Sequence, residues 1–328
     1  MNKINRLIIL SLILSTKISY AEIASGTDGD ISWQISDTGI LSISGMGEMP
    51  NYGDTTPWSG YNESVTGVVI NEGITSVGKN AFLGLNHASN LNLPSTLTNI
   101  GYQAFHGMGI TGNINIPNTV TTLGAGAYAR MPNITGELII PDSITAIPDG
   151  AFFWTRGITS IVIPNSVTTI GGWSFNGLKN VTNLTIPDSV TEIGTTAFQD
   201  MKGLTNLTIG DSVGTIGVKA FSGVQITELK ISDANLQKYL DAGGAFNTEN
   251  FTIKCTKGDC SRILLIYDQE HNTNYAKQGK IEQKNADGSI SISKNGRLIG
   301  LRGKRIYTVQ EAEMLSKPSK NRFKIRYK

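Results

Sequence analysis

Cysteine is nearly absent from this chain: Cys255 and Cys260 are the only two among 328 residues. Histidine is almost as scarce, at positions 87, 106 and 271. A zinc centre draws its ligands largely from these two residue types, so no metal and no cofactor is expected. Neither a Gly-x-Ser-x-Gly elbow nor a His-Glu-x-x-His motif is expected here, and no nucleophile, base and orienting acid stand out together. His87 and His106 fall in turns, so an enzyme is not expected and a hydrolase remains only a distant alternative. Aromatic residues make up 7% of the chain against 37 glycines, a balance that suits short strands and turns better than long helices.

Long apolar runs are also lacking, apart from one at the start. Lys3 and Arg6 precede the stretch Leu7 to Leu14, and Ser19-Tyr20-Ala21 follows. That layout is an export signal over residues 1–21 with cleavage before Glu22, and its apolar stretch is too short to span a bilayer. No cysteine stands at the cut to carry a lipid, no second apolar stretch is available to anchor the chain, and no wall-sorting motif is present. The expected location is therefore secreted or cell-surface. In an exported protein Cys255 and Cys260, five residues apart, are expected to form a local disulfide. Several Asn-x-Ser/Thr sites occur, including Asn62, Asn133, Asn183 and Asn206, largely as a by-product of repeat composition.

What the chain does have is an internal repeat. Units begin at residues 68, 91, 114, 138, 161, 184 and 207. They close on Phe82, Phe105, Tyr128, Phe152, Phe175, Phe198 and Phe221, spaced by 23 residues except for a 24-residue step from Tyr128 to Phe152. In the unit 184–198, Leu184 and Ile186 point inward from a short strand that Pro187 ends, while Thr185 points out. Val190 and Ile193 turn back inside, Gly194 permits a turn, and Ala197-Phe198 is expected as a tight helical or 3₁₀ corner whose ring fills the coil. A Ser or Thr at 96, 119, 143, 166, 189 and 212 is expected to satisfy backbone groups after the strand. One coil cannot bury its own apolar side, so stacking into a solenoid with an aromatic spine follows.

The motif Leu-x-Ile-Pro-x-Ser-Val-Thr-x-Ile-Gly-x-x-Ala-Phe resembles the leucine-rich repeat of BspA-like surface proteins, the Treponema pallidum type. Gly26-Thr27, Trp33, residues 39–45, Met49 and Pro57-Trp58 resemble the cap that precedes such repeats. The resemblance implies a bacterial surface or secreted protein used in adhesion, with a protein or glycan of host matrix or other cells as partner, and it supplies no catalytic residue.

The expected fold is a β-rich α/β solenoid of about 23-residue units with a cap at each end. A signal peptide occupies 1–21, an N-terminal cap 22–67 with a hairpin over 31–44, the leucine-rich-repeat array 68–231 and a C-terminal cap 232–260. The C-terminal cap is expected to carry a short helix over 233–242 with Leu236, Tyr239 and Leu240 on one face, and 251–253 is expected to close the stack. A small basic module or tail follows over 261–328, with a hairpin over 290–300 and a helix opening at Thr308.

Two surfaces are candidates for recognition. The outward strand positions form one row through Asn90, Asn113, Glu137, Ser160, Asn183 and Asn206, and a second through Asn92, Asn115, Ile139, Val162, Thr185 and Thr208. This face is polar, nearly uncharged, and apolar at its centre. It suits a protein or glycan ligand, although a merely solvated strand face has the same composition. The second candidate is an aromatic patch of Trp154, Arg156 and Trp173. Trp173 fills a slot that other units give to Asn80, Gln103, Gly126, Gly150, Thr196 or Lys219. Such rings either form a binding hot spot or cover a thin core beside the 24-residue step.

Charge divides the chain. Residues 294–328 hold eleven Lys or Arg against Glu311 and Glu313, whereas residues 22–293 hold fourteen basic and twenty-four acidic residues. The basic segment either attaches the protein to an anionic envelope surface or is a solvated face. Nucleic acid is not an expected partner for an exported protein with an acidic solenoid. Beside adhesion stands the alternative of a structural, envelope-associated protein without a specific ligand.

Overall fold

A computed structural model of the chain describes residues 22–244, 251–258 and 260, and the backbone of four strands over 280–284, 290–294, 297–300 and 305–308. The export signal, Thr308's expected helix and most of the basic tail lie outside the described residues. The fold is a β-solenoid of about nine turns at the 23-residue spacing. Its main row of parallel strands is hydrogen-bonded in three groups, the first ending with Gly67–Ile70 and Asn90–Asn92, the second made of Gly136–Ile139 and Ile158–Val162, and the third starting with Asn183–Ile186, Asn206–Ile209 and Glu228–Ile231. A second ladder of two- to four-residue strands runs beside it, from Ile74–Val77 to Thr215–Ile216. Equivalent residues of successive coils pair, as in Asn183 with Asn206 and Ile186 with Ile209.

The ring of each coil stacks on the next. From Phe82 to Phe221, neighbouring centroids lie 5.2 to 5.9 Å apart, and every ring in the row is buried. The corner that carries each ring is a run of turns, not the helical or 3₁₀ segment expected. Hydrogen bonding explains the difference. Ala81, Leu83 and Leu85 donate within their own coil to Gly78, Asn80 and Phe82, whereas Asn80, Phe82 and Gly84 donate to Tyr102, Ala104 and His106 of the next coil. Alternate N–H groups are thus committed along the solenoid axis and cannot close a helical ladder.

That alternation creates two columns of left-handed backbone. The first runs through Asn80, Gln103, Gly126, Gly150, Trp173, Thr196 and Lys219, the second through Gly84, Gly107, Arg130, Trp154, Gly177, Asp200 and Gly223. Gly194 is not in either column. It is needed because the backbone N of Gly172 would stand 2.4 Å from any Cβ at position 194, so its role is close approach of coils and not turn geometry.

The row of hydroxyls works as expected at three positions: Thr96, Ser143 and Ser166 donate to the carbonyls of Ile74, Val120 and Ile144. The Ser189 hydroxyl is buried with no such partner. A further row was not anticipated: Thr98, Thr121, Thr168 and Thr191 each donate to a carbonyl of the preceding coil at 3.1 to 3.3 Å.

The irregular step has a visible consequence. Residues 113–115 form no strand, and on this face strand pairing is reduced to a single bridge from Gly112 to Ile134. The main ladder resumes at Gly136–Ile139, where the register shifts against Ile158–Ser160.

At the N-terminal end the expected hairpin, β2 (Ile31–Ser36) with β3 (Ile40–Gly45), is joined by β1 (Glu22–Asp28) antiparallel to β2. Strand β3 then pairs parallel with Gly67–Ile70, handing the sheet to the repeats. At the other end α1 (Asp233–Asp241) buries Leu236, Tyr239 and Leu240. Thr252–Cys255 does not close the stack, because Lys280–Lys284 pairs parallel with it and three antiparallel strands follow, including the expected 290–294 and 297–300 pair. Cys255 and Cys260 are joined in the expected disulfide.

Candidate recognition surfaces

The strand face is exposed where the alternation places it. Asn90, Asn92, Glu137, Asn183, Thr185 and Asn206 are exposed, whereas Ser160 and Thr208 are half-buried. Asn113 and Asn115 are exposed too but belong to the irregular segment, so the row of strands expected through them is interrupted. Ile139 and Val162 are register partners, 54% and 44% exposed, and form an apolar centre on an otherwise polar face. Part of this face satisfies itself: Asn206 Nδ2 donates to Asn183 Oδ1 at 2.7 Å, and Ser160 Oγ to Glu137 Oε1 at 3.4 Å.

Where the strands end, a cleft of about 510 Å³ opens beside Thr185, Thr208 and Lys230, with Asp188 and Asp211 on its margin. Carboxylates after the strand accept backbone N–H groups of the next coil at two positions, Asp188 and Glu72, whereas Asp211 accepts from side chains. Asp188 Oδ1 takes the N–H of Asp211 at 2.8 Å, and Glu72 takes that of Ser95 at 2.9 Å. Burial pushes the Asp211 carboxyl up, but a hydrogen bond from Thr256 at 2.6 Å and the Lys257 ammonium at 3.0 Å outweigh it, so the group stays below the usual range.

The turn-built face carries the aromatic patch in a form that sequence spacing did not reveal. Trp154 and Trp173 are bridged by Phe153, whose ring stacks on Trp154 at 5.4 Å and meets Trp173 edge-on at 5.9 Å. Arg156 lies 4.3 Å from the centroid of Trp154, and Arg130 lies 5.5 Å from the same ring and 5.6 Å from Phe153. Trp154 Nε1 donates to Asn176 Oδ1 at 3.2 Å.

Beside Phe153 and Trp173 lies a groove of about 490 Å³. Its floor is Ala125, Gly126 and Ala129, the small residues of the Tyr128 coil, and its opposite wall is Tyr102. The run Ala-Gly-Ala-Tyr-Ala was the sequence signal for this dip, legible only once neighbouring coils are seen to flank it. His106, at its edge, is held below the usual histidine range by burial and by the Arg130 charge.

Residues 210–214, Gly-Asp-Ser-Val-Gly, spell the nucleophile-elbow pattern of hydrolases, contrary to the expectation that the chain carries none. Ser212 stands in the turn after a strand, as its counterparts in other coils do, with a short two-residue strand following instead of the helix the elbow requires. Among the described residues no group of His, Cys, Asp and Glu could hold a metal ion. No helix among them is long and apolar enough to cross a membrane.

The family described as BspA type leucine rich repeat region matches residues 60–177 and 133–251, in six copies. The chain belongs to this family. The BspA-type match spans the solenoid from the end of the N-terminal cap to Phe251. Among solved structures, a leucine rich cell surface protein of Faecalibacterium prausnitzii is similar at 20% identity, covering 70% of this chain and 88% of that one, with a TM-score of 0.44. The Treponema pallidum leucine rich repeat protein is 20% identical over 60% of this chain and 88% of that one, with a TM-score of 0.39. The pneumococcal vaccine antigen PcpA is 13% identical over 74% and 96%, with a TM-score of 0.35. No curated protein matches the chain.

Proposed function

We propose that this BspA-type protein works at the cell surface or after secretion as an adhesion or recognition protein, holding an extracellular protein or glycan on its strand face without catalysis. The observation that carries this is the exposed Ile139 and Val162 pair on a polar, sparsely charged face. An apolar centre ringed by hydrogen-bonding groups is the composition of interfaces that exclude water at their core. Repeat packing does not require these two residues, since their side chains point away from the stack.

The test is binding of the chain from Glu22 onward to a panel of matrix proteins and glycans, with Ile139→Glu/Val162→Glu as the variant. Binding lost in the variant supports recognition on this face. Equal and weak effects from substitutions all over the solenoid favour the structural, envelope-associated alternative. The eleven basic residues of 294–328 motivate a second proposal, attachment to an anionic envelope surface. Replacing Lys320, Arg322, Lys324 and Arg326 with Gln should then release the protein from cells at low salt, and unchanged association would sink that idea.

A further inference from the structure

Trp173 and Trp154 stand at left-handed backbone positions, with φ of 62° and 58°. A bulky side chain there costs on the order of 1–3 kcal/mol, and such strain gathers at ligand clamps. The equivalent slots elsewhere hold glycine at 84, 107, 126, 150, 177 and 223, and otherwise Asn80, Gln103, Arg130, Thr196, Asp200 and Lys219, so Trp154 and Trp173 are the only aromatic side chains placed in these columns. Burial does not offset the cost, because Trp173 is 51% and Trp154 42% exposed. If these rings only covered a thin core they would be buried, as Trp58 is. The irregular step beside them has its own cover in the half-buried Phe153.

The groove that Trp173 walls has a definite chemistry. Flat rings, Tyr102 and Trp173, rise on either side of a floor of small residues that lets a ligand sit low. Its size falls among ligand clefts of roughly 300–1,000 Å³, and its lining crosses four successive coils from Tyr102 to Trp173, a span that suits an extended chain. Asp149 and Arg130 in its lining are of opposite sign, Lys79 lies 5.7 Å from the centroid of the Tyr102 ring, and His106 is held toward its neutral form. Gln103, His106 and Asp149 give donors and acceptors around the rings.

From these features we propose that the groove between Tyr102 and Trp173 binds a neutral oligosaccharide. A pyranose ring has an apolar C–H face that stacks on the electron-rich face of an aromatic ring, and a rim of hydroxyls that the polar groups can take. An acidic polymer would meet Asp149, and a basic peptide Arg130. This site is distinct from the strand face and does not depend on the recognition proposed there.

The experiment uses the chain from Glu22 onward with cellohexaose, maltohexaose and laminarihexaose as neutral probes and a hyaluronan oligosaccharide as the acidic one. Calorimetry and tryptophan fluorescence follow binding; Trp33 and Trp58 are buried, so the signal reports Trp154 and Trp173. Saturable binding of a neutral probe is expected. It should weaken at least tenfold in Trp173→Gly and in Tyr102→Ala, while Trp173→Gly leaves Tm unchanged or raised because it relieves the strained slot. Ile139→Glu/Val162→Glu should leave this binding intact, so failure of the strand-face reading shows separately. Binding of hyaluronan alone, of none of the probes, or unchanged binding by Trp173→Gly would overturn the proposal.

Discussion

Trp58 of the N-terminal cap lies nearly flat on Phe82 of the first repeat, with ring centroids 5.7 Å apart and planes 18° apart. Its indole Nε1 donates to the Ala81 carbonyl at 3.1 Å. Tyr239 of α1 does the corresponding work at the other end, 5.2 Å from Phe221, while Asn235 and Lys238 donate to the carbonyls of Gly210 and Val213. The aromatic spine therefore continues into both caps, and each cap supplies donors to the coil it covers.

Because every spine ring has a ring above and below, removing one leaves a cavity that neighbouring coils cannot close. Phe175→Ala should cost about 3–5 kcal/mol in urea denaturation. A near-neutral result would mean that the ring is not packed between Phe152 and Phe198.

Tyr128 is the one spine residue from Phe82 to Phe221 that is not Phe, and its hydroxyl is buried with no hydrogen-bond partner. Burial also pushes its ionisation far above the ordinary tyrosine range. Tyr128→Phe should raise stability by about 1 kcal/mol, since an unsatisfied buried polar group costs that much or more. A loss of stability in the same assay would show that the hydroxyl has found a partner.

Gly194→Ala should destabilise by about 1–3 kcal/mol, because the added methyl must push two backbones apart. Lys219→Gly, an exposed position with φ of 57°, should instead stabilise by about 1 kcal/mol. Opposite signs in paired thermal melts would separate steric need for glycine from conformational need.

Asp211 links the last full repeat to the C-terminal cap through Thr256 and Lys257. Its folded-state pKa is depressed, so its contribution is complete above the unfolded value near 3.9 and fades as pH falls through the lower folded value. Stability measured from neutral pH into acid should fall less steeply in Asp211→Asn than in the parent. Identical slopes would remove Asp211 from the acid response.

The repeat, its 23-residue period, the inward and outward alternation, the disulfide and the α1 core face were all legible in the sequence, because each rests on local spacing or on a pattern copied many times. The closing Phe predicts a spine wherever coils stack in register. Less was legible of the candidate sites. Exposure of Ile139 and Val162 followed from alternation, but the gap at Asn113 and Asn115 did not, since it depends on how a 24-residue step is absorbed between coils.

Only the tertiary structure decided the corner geometry. The Ala-Phe segment looks helical by composition, yet alternate N–H groups bond to the next coil, and that forces the left-handed columns holding Trp154 and Trp173. Nor could spacing place Tyr102, Phe153, Arg130 and Trp173 around one groove, because they come from four coils and meet only when the stack is built. A one-dimensional repeat specifies what each coil presents; which side chains face one another across coils is set by stacking geometry.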